Sequence, residues 1–519
     1  MLRPKKTREQ GAALVMVLQL SVVGALMVGA IAYLVTSQNK YNLHSVRNER
    51  ALWMAETGAQ RFLSGLRNGD DCIDFSISTT NLNSSCTGYW LNTWIPIHDE
   101  NNKTIGEYRV SLLPSTESKV KRVKSEGKVY DSKNGTVEIN MSKRVIGVQF
   151  ERFSLDNFAI ASNHQLGGAR INGGVRIYGG VFTAGRLGLD ASSTGIYNDY
   201  HDLDTNQNFH GYPSPASPPQ GEVYVYKDNI SNPAPNPNGG IDLASQSDLG
   251  TNAAAFKAIH TDASVVDTGT PTGNPLPSTV GDSIVGDGQD TQVHANKIDH
   301  ELPNVNFPDA SVNSQFMTDR LVEATTNGCV RGSSGAPSNL VLGNASIANP
   351  AGAGCGSKFT YTVTGSGNNQ VRLLHIEGAV FIYGSISAAE GIKYTGKGAI
   401  FATGNATFSE GLEPSVPTDY PNNAALGVVT SGDMALGQGS GSDTKYVGSF
   451  FANQQATINK SKIFGNIFAG RLEIPDTGTR PDIYVHPDVR EQVGVPMPDF
   501  TNVKVSKTAW WEMYGDAAK

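Results

Sequence analysis

The segment Gly11-Ala-Ala-Leu-Val-Met-Val-Leu-Gln-Leu-Ser-Val-Val-Gly-Ala-Leu-Met-Val-Gly-Ala-Ile-Ala-Tyr-Leu-Val35 contains no charged residue. As a helix it is about 37 Å long, which exceeds the ~30 Å hydrocarbon core of a bilayer. Lys5, Lys6 and Arg8 precede it, and basic residues flanking a span favour the cytoplasmic side. We therefore predict one membrane span, Ala12 to Val35, with the N-terminus in the cytoplasm and the rest of the chain exported.

The helical pattern continues beyond the apolar segment. Apolar residues recur at steps of three and four, as at Leu52, Ala55, Ala59 and Leu66, which is the helical period. We predict a single helix over residues 12–68, about 84 Å long. An uncut membrane anchor fits this pattern. A cleaved secretory signal, with a site at Ala30-Ile31-Ala32, is the alternative, and it does not predict a continuous helix.

Residues 69–153 have the character of a small antiparallel β-domain. The stretches 105–112, 122–130, 136–142 and 144–150 alternate apolar and polar residues, which is typical of strands with one buried face. The sequence thus predicts an α+β unit made of the long helix and a meandering sheet.

Glycine-bounded repeats dominate the remainder of the chain. The segment from Gly378 aligns with that from Gly398, and similar segments begin at Gly448 and Gly465. Short strands repeated about every 20 residues indicate a β-solenoid, here expected as a right-handed β-helix. We predict first rungs at 154–190 and the main solenoid at 359–519, ending in a C-terminal cap around residues 509–514. A β-sandwich with glycine-rich turns is the alternative.

A proline- and asparagine-rich stretch, 191–358, separates the two blocks of repeats. We expect a loop-rich insertion, either laid over the solenoid or forming a separate lobe. Exported chains fold in an oxidising space, so the four cysteines predict two local disulfides, Cys72 with Cys86 and Cys329 with Cys355.

No catalytic motif is present, and we expect neither catalysis nor a cofactor. Asp202, Asp204 and Asn206 alternate as calcium ligands do, but the loop lacks the glycine and the glutamate of such a site. A solvated turn explains this segment better, and no metal is expected. The net charge is −7, and basic residues cluster little beyond the leader, which argues against nucleic acid as a partner.

The segment Gln10-Gly-Ala-Ala-Leu-Val15 resembles the N-terminus of PilX-type minor pilins of type IV pilus systems. The resemblance implies a leader at residues 1–11, cleavage by a prepilin peptidase between Gly11 and Ala12, and methylation of Ala12. Residues 51–59, Ala-Leu-Trp-Met-Ala-Glu-Thr-Gly-Ala, resemble the next stretch of such proteins. Met16 stands where major pilins carry glutamate, which favours a minor subunit at the tip or in initiation.

The repeats at 157–196 and 371–474 resemble, more weakly, a glycine-rich region attached to PilX-type N-termini. Together these features imply a pilin-like subunit that presents a β-solenoid. Its expected partners are other pilins, the inner-membrane assembly machinery and the prepilin peptidase, with a surface ligand or glycan left open. The expected location is the bacterial inner membrane and then the pilus or cell surface. A membrane-anchored β-helix enzyme or binding protein acting on polysaccharide, and a solenoid that polymerises end to end, are the alternatives.

Overall fold

The computed structural model describes residues 6–67, 90–114, 120–133 and 136–163, short segments between 169 and 310, and residues 311–513 except 439–443, 476–480 and 501–504. The chain forms two units. Unit 1 comprises Met1–Phe153 and Asn502–Lys519, and unit 2 comprises Ser154–Thr501. Unit 2 is therefore inserted between two segments of unit 1.

Unit 1 begins with one uninterrupted helix, α1, Lys6–Arg67. Within the described residues it is the one helix long and apolar enough to cross a membrane. No proline or glycine pair interrupts the sequence from residue 6 to residue 67, so nothing breaks its backbone hydrogen bonds. The expected long helix is confirmed.

The helix is followed by an antiparallel sheet, as expected. Its first four strands are β1 (Ile95–His98), β2 (Thr104–Leu113), β3 (Val120–Lys133) and β4 (Thr136–Arg152), each paired with the next.

The fifth strand of this sheet, Val505–Glu512, comes from the C-terminal segment of unit 1 and pairs antiparallel with β4. Residues 509–514 were expected to cap the solenoid, and in this respect the structure differs. Alternation of aromatic and polar residues predicts a strand face but not which sheet the strand joins.

Unit 2 is built mainly from three ladders of parallel strands, and Phe359–Thr364 adds one antiparallel pairing with Val371–Ile376. The predominance of parallel pairing excludes an antiparallel sandwich. Two long strands, Thr444–Ile458 and Ser461–Ile474, pass through all three ladders. The other strands of ladder A, in spatial order, are Val330–Arg331, Gly378–Ile382, Lys397–Ala402, Ala425–Thr430, then Phe158–Ser162, Gly180–Thr183, Val223–Val225, Ile259–Thr261 and Ile298–Asp299.

Ladders B and C follow the same order. Apart from the two long strands, the strands of ladder B are Leu340–Leu342, Ile386–Ala388, Ala406–Phe408, Met434–Leu436, then Ala169–Ile171, Leu187–Leu189, Gly239–Leu243, Ser264–Asp267 and Ile284–Val285. Those of ladder C are Val371–Ile376, Ile392–Thr395, Leu412–Pro414, then Asp482–Tyr484, Arg176–Tyr178, Gly195–Tyr197 and Asp248–Leu249.

The order of the rungs differs from the order of the chain. Ser461–Ile474, near the end of unit 2, pairs with Phe158–Ser162 at its start, with Ile467 opposite Ile160. The two blocks of repeats therefore form one stack. The repeats themselves are in the predicted register, since Gly378 lies opposite Gly398 and Gly448 opposite Gly465.

The range 191–358, expected to be loop-rich, contributes strands to both ends of this stack. Its strands from Gly195–Tyr197 to Ile298–Asp299 extend one end. At the other end, the strands Val330–Arg331 and Leu340–Leu342 form the last rung, and helix α2 (Gln315–Thr326) packs beside Gly378–Ile382 of ladder A. Strands of two to five residues are too short to show a period in the sequence, so the composition of this range predicts loops where the structure has strands.

The interior of the stack is a mainly aliphatic core. Along ladder A, Val380, Ile400, Val428, Phe450 and Ile467 occupy successive rungs at one inward position, and all are buried. Each rung leaves its apolar residues exposed unless the next rung covers them, so the stack is stabilised as a whole.

One corner of the stack is held by a relay of side chains. Asn339 Oδ1 accepts a hydrogen bond from the Ser385 amide at 2.9 Å, and Ser385 Oγ accepts one from the Asn405 amide at 3.0 Å. Asn405 Oδ1 in turn accepts from the Asp433 amide at 3.0 Å, and Asp433 Oδ1 from the Gln455 amide at 3.1 Å. Each rung thus satisfies a turn amide that the parallel ladders leave without a partner.

The outer face of ladder A is aromatic and covered by the same chain. The covering contacts join Phe316 to Phe401, Phe307 to Phe451, Phe500 to Phe182, and the Arg490 guanidinium to Phe468. On ladder C, the rings of Phe464, Tyr484, Tyr178 and Tyr197 stack at centroid distances of 5.0 to 5.2 Å. Aromatic side chains at one register position therefore align along the stack.

The end of the stack at α2 carries the disulfide Cys329–Cys355, and both cysteines are buried. This predicted pair is confirmed.

Replacing both cysteines with serine should lower the free energy of unfolding by about 3 kcal/mol, because the bond closes a loop of this length in the unfolded chain. Thermal unfolding measures the change.

The double variant Cys72→Ser/Cys86→Ser removes the other predicted disulfide and leaves this end of the stack intact, so it separates the contribution of the two bonds. If both double variants melted at the temperature of the unmodified protein, the Cys329–Cys355 bond would contribute nothing to stability.

A buried histidine makes the stability of unit 2 depend on pH. His486 packs against the ring of Tyr420, and burial lowers its pKa to about 4, although Asp488, 4.0 Å away, favours the charged form. In the unfolded chain its pKa returns to about 6.5. The folded state therefore loses about 3 kcal/mol as pH falls from 6.5 to 4.

The variant His486→Phe should remove that part of the pH dependence. The measurement is the difference in unfolding free energy between variant and unmodified protein at each pH, which cancels the titration of carboxylates elsewhere. A difference that stays constant between pH 7 and pH 4 would contradict the assignment.

Candidate anchoring helix and its docking on the sheet

The first half of α1 exposes a continuous apolar surface. Every large apolar side chain between residues 14 and 35 is exposed: Leu14, Val15, Met16, Val17, Leu18, Leu20, Val22, Val23, Leu26, Met27, Val28, Ile31, Tyr33, Leu34 and Val35. A surface of this size cannot remain in water on a soluble monomer. It needs either lipid or other helices around it.

Two hydroxyl groups of this part of α1 form hydrogen bonds within the helix. Ser21 Oγ donates to the Val17 carbonyl at 2.8 Å, and Thr36 Oγ1 donates to the Ala32 carbonyl at 2.7 Å. Both bonds stay within α1, so these hydroxyls carry no unsatisfied donor into an apolar environment.

The second half of α1 is docked on the sheet. From Ala51 onward one face of the helix is buried, including Ala55, Ala59, Phe62 and Leu66. These residues form a core with residues of β2, β3 and β4, and Phe62 stacks on Phe150 at a centroid distance of 5.6 Å. The spacing of three and four predicted this buried face.

Two glycines let helix and sheet approach closely. A side chain on Gly127 of β3 would overlap the Ala51 carbonyl oxygen, and one on Gly58 of α1 would overlap Ser125 and Tyr108. Beside them, Ser125 Oγ donates to the Ala55 carbonyl at 2.6 Å. The sequence carried no sign of these roles, because a glycine in a helix or strand is predicted only to weaken it.

The opposite face of the sheet is charged. Glu126 is buried between Arg109, whose Nε lies 2.6 Å from Oε2, and Lys143, whose Nζ lies 2.8 Å from Oε1. Burial raises the pKa of Glu126, but the two cations outweigh it and hold the pKa below its usual range. The Nζ atom of Lys128 lies 3.4 Å from the centroid of the Trp94 ring. Arg109 lies opposite Glu126 in the register of β2 on β3, so their ion pair stabilises that register.

The C-terminal strand covers a gap on β4. Trp511 lies opposite Gly147 in the register, and its indole occupies the space where a side chain of Gly147 would lie. A tryptophan packed over a cross-strand glycine buries surface that the glycine leaves open.

The other predicted site residues have different outcomes. Gly11 and Ala12 lie in the backbone of α1, and their processing remains a prediction. Cys72, Cys86 and the calcium candidates Asp202, Asp204 and Asn206 lie outside the described residues. Elsewhere, the described segments contain no group of three acidic, histidine or cysteine side chains placed to hold a metal ion.

Comparison with known proteins gives a distant likeness to a solved structure. No protein-family model matches the chain, and no curated protein matches it. Among solved structures, it is similar to the competence-associated pilin ComZ from Thermus thermophilus, with a TM-score of 0.45 and 15% identity over 90% of this chain and 98% of that chain. At this distance the likeness assigns neither family nor function.

The contact at Gly127 can be tested by substitution. Gly127→Ala should destabilise unit 1 by about 1–3 kcal/mol, because the added methyl group meets the backbone of α1. Without such a contact, alanine in a strand is more favourable than glycine, so the sign of the effect is informative. Thermal unfolding of the full chain in detergent measures it.

Gly335→Ala is the matched control, since a side chain at Gly335 meets nothing within 4 Å. Equal stability of the two variants would show that α1 does not pack against β3 as closely as described.

Proposed function

We propose that this chain is a membrane-anchored, pilin-like subunit of a type IV pilus or a related filament. The observation that carries the proposal is the division of α1. Its first half is apolar and exposed, and its second half is docked on an antiparallel sheet. A helix of this kind is held in the membrane by its first half and becomes buried when other such helices surround it.

The proposal includes a specific class of subunit, a PilX-like minor pilin. Met16, exposed on α1, provides no carboxylate to pair with the N-terminus of a neighbouring subunit. This supports a position at the tip or in initiation of the filament rather than along its length. The proposed partners are other pilins, which contact α1, the inner-membrane assembly machinery, and a prepilin peptidase, which cuts between Gly11 and Ala12.

We further propose that unit 2 is a right-handed β-helix that the subunit presents outside the cell. Parallel ladders with an aliphatic interior support a solenoid. Its role would be binding or presentation without catalysis, and a surface ligand or glycan is its proposed target. Release of oligosaccharides from a polysaccharide by the purified protein would contradict a role without catalysis.

The test of the main proposal is the mature N-terminus, measured by mass spectrometry in the native host. A prepilin peptidase leaves Ala12 first, and methylation adds to its mass. A secretory signal peptidase cutting after Ala32 leaves Tyr33 first. Gly11→Asp should abolish processing, whereas Ala32→Leu should leave it unchanged.

These two substitutions are matched, because each removes a small residue from one of the two candidate sites. The reverse result, normal processing of Gly11→Asp and failure of Ala32→Leu, would identify a cleaved signal and remove the proposed function.

A further inference from the structure

The half of α1 that is docked on the sheet leaves one of its own faces uncovered. Because an α-helix turns by about 100° per residue, Trp53 lies opposite Ala55 and Phe62, which are buried against the sheet. Trp53 itself is 66% exposed. The face around Trp53 is therefore the surface that this half of α1 offers to another molecule.

The charged residues of this face lie along its two edges, sorted by sign. Glu49 and Glu56 are seven residues apart, and Arg50 and Arg61 are eleven residues apart. Steps of seven and eleven residues return to nearly the same side of a helix, so each pair shares an edge. The acidic edge and the basic edge, as we call them, flank Trp53 on opposite sides. A helix with such edges is complementary in charge to a second copy of itself that lies beside it.

Glu49 and Arg50 are the best-placed charges for a contact with a second copy. Both side chains are exposed, and adjacent residues on a helix do not face each other. Within the described segments neither of them forms an ion pair. Arg61, by contrast, already donates a hydrogen bond from Nη1 to the Tyr108 hydroxyl at 2.7 Å.

Two grooves run along the acidic edge, between α1 and β4. The groove farther from the apolar segment has a volume of about 420 Å³, and its walls include Glu56 of α1 and Val148 of β4. The other groove has a volume of about 370 Å³, and Tyr41, His44 and Glu49 lie in its wall. Side chains of a helix lying along the acidic edge can pack into these grooves.

Anchoring in one membrane fixes how two copies meet, so the inference rests on the proposed function. Both α1 helices cross the bilayer in the same direction and at the same height. Arg50 of the second copy then lies one residue, about 1.5 Å along the axis, beyond the level of Glu49. Leu43, on the basic edge seven residues before Arg50, is 49% exposed. It lies level with Tyr41 and His44 in the wall of the groove.

We propose that two copies of this chain associate through the docked half of α1, with the acidic edge of one copy against the basic edge of the other. Glu49 of the first copy pairs with Arg50 of the second copy, and Leu43 of the second copy enters the groove beside Tyr41. Two edges of like charge repel, which disfavours a symmetric contact. The contact is therefore head-to-tail, and it leaves one acidic and one basic edge free for further subunits.

The experiment co-expresses, in the native host, two full-length versions of the chain that carry different affinity tags. Membranes are extracted in mild detergent, and the fraction of one version that purifies through the tag of the other is measured. Glu49→Arg in both versions, or Arg50→Glu in both versions, should lower that fraction about tenfold, because each change places like charges at the contact. Both residues are exposed, so the variants keep the fold.

A mixed combination of the two substitutions tests whether these residues act on each other. When one version carries Glu49→Arg and the other carries Arg50→Glu, each contact between the two versions again joins opposite charges. Their co-purification should return to the level of the unmodified chain. A role of either residue in folding or membrane insertion alone would not produce this rescue.

The matched controls are Glu410→Arg and Arg122→Glu, which make the same changes in charge. Both side chains are exposed, and neither lies on α1. Each control variant should co-purify as the unmodified chain does.

Three results would overturn the inference: co-purification that neither single substitution reduces, a reduction that the mixed combination does not restore, or an equal loss in the control variants. Failure of the proposed function is read separately, from the mature N-terminus. A chain that begins at Tyr33 overturns the proposed function and the inference with it. A chain that begins at Ala12 but fails the co-purification tests overturns the inference alone.

Discussion

The structure of unit 2 depends on one backbone pairing, between Ser461–Ile474 and Phe158–Ser162. It joins the rungs from the end of the unit to those from its start, so that Ile467 lies on Ile160 and the aliphatic core continues. If this pairing were missing, each half would end in an apolar rung and an open strand edge, which is a site of aggregation. Because of this pairing, the rungs from the later part of unit 2 are followed in the stack by those from its start.

The same pairing brings the two ends of unit 2 together. Arg490, which lies over Phe468 of the joining strand, forms an ion pair with Asp156 at 2.7 Å. Asp499 accepts hydrogen bonds from the Leu155 amide at 3.1 Å and from the Ser154 hydroxyl at 3.2 Å. A unit whose ends lie close together can be inserted into another domain. Here it is inserted between β4 and the C-terminal strand, which pair with each other from Arg152 and Val505 onward.

In unit 1 the corresponding constraint is the close approach of α1 to β3. Gly127 brings the backbone of β3 against that of α1, and Gly58 brings the backbone of α1 against side chains of the sheet. The polar contact from Ser125 to the Ala55 carbonyl is made at that distance. The second half of the helix is packed against the sheet. The first half continues from it along the same axis, with its apolar side chains exposed. The single, uninterrupted helix thus joins the half that carries the sheet to the half that is proposed to serve in anchoring and assembly.

The sequence alone determined the apolar span, the buried face of α1 from Ala55 to Leu66, the antiparallel strands and the repeat that places Gly378 opposite Gly398. These features are local periods, and a period of 3.6 or 2 residues, or a repeat of about 20, is visible in a single chain. Only the tertiary structure decided which rung follows which, why Gly127 must lack a side chain, and that Trp511 covers Gly147. Those contacts join residues far apart in the chain, and such pairs leave no periodic pattern in one sequence.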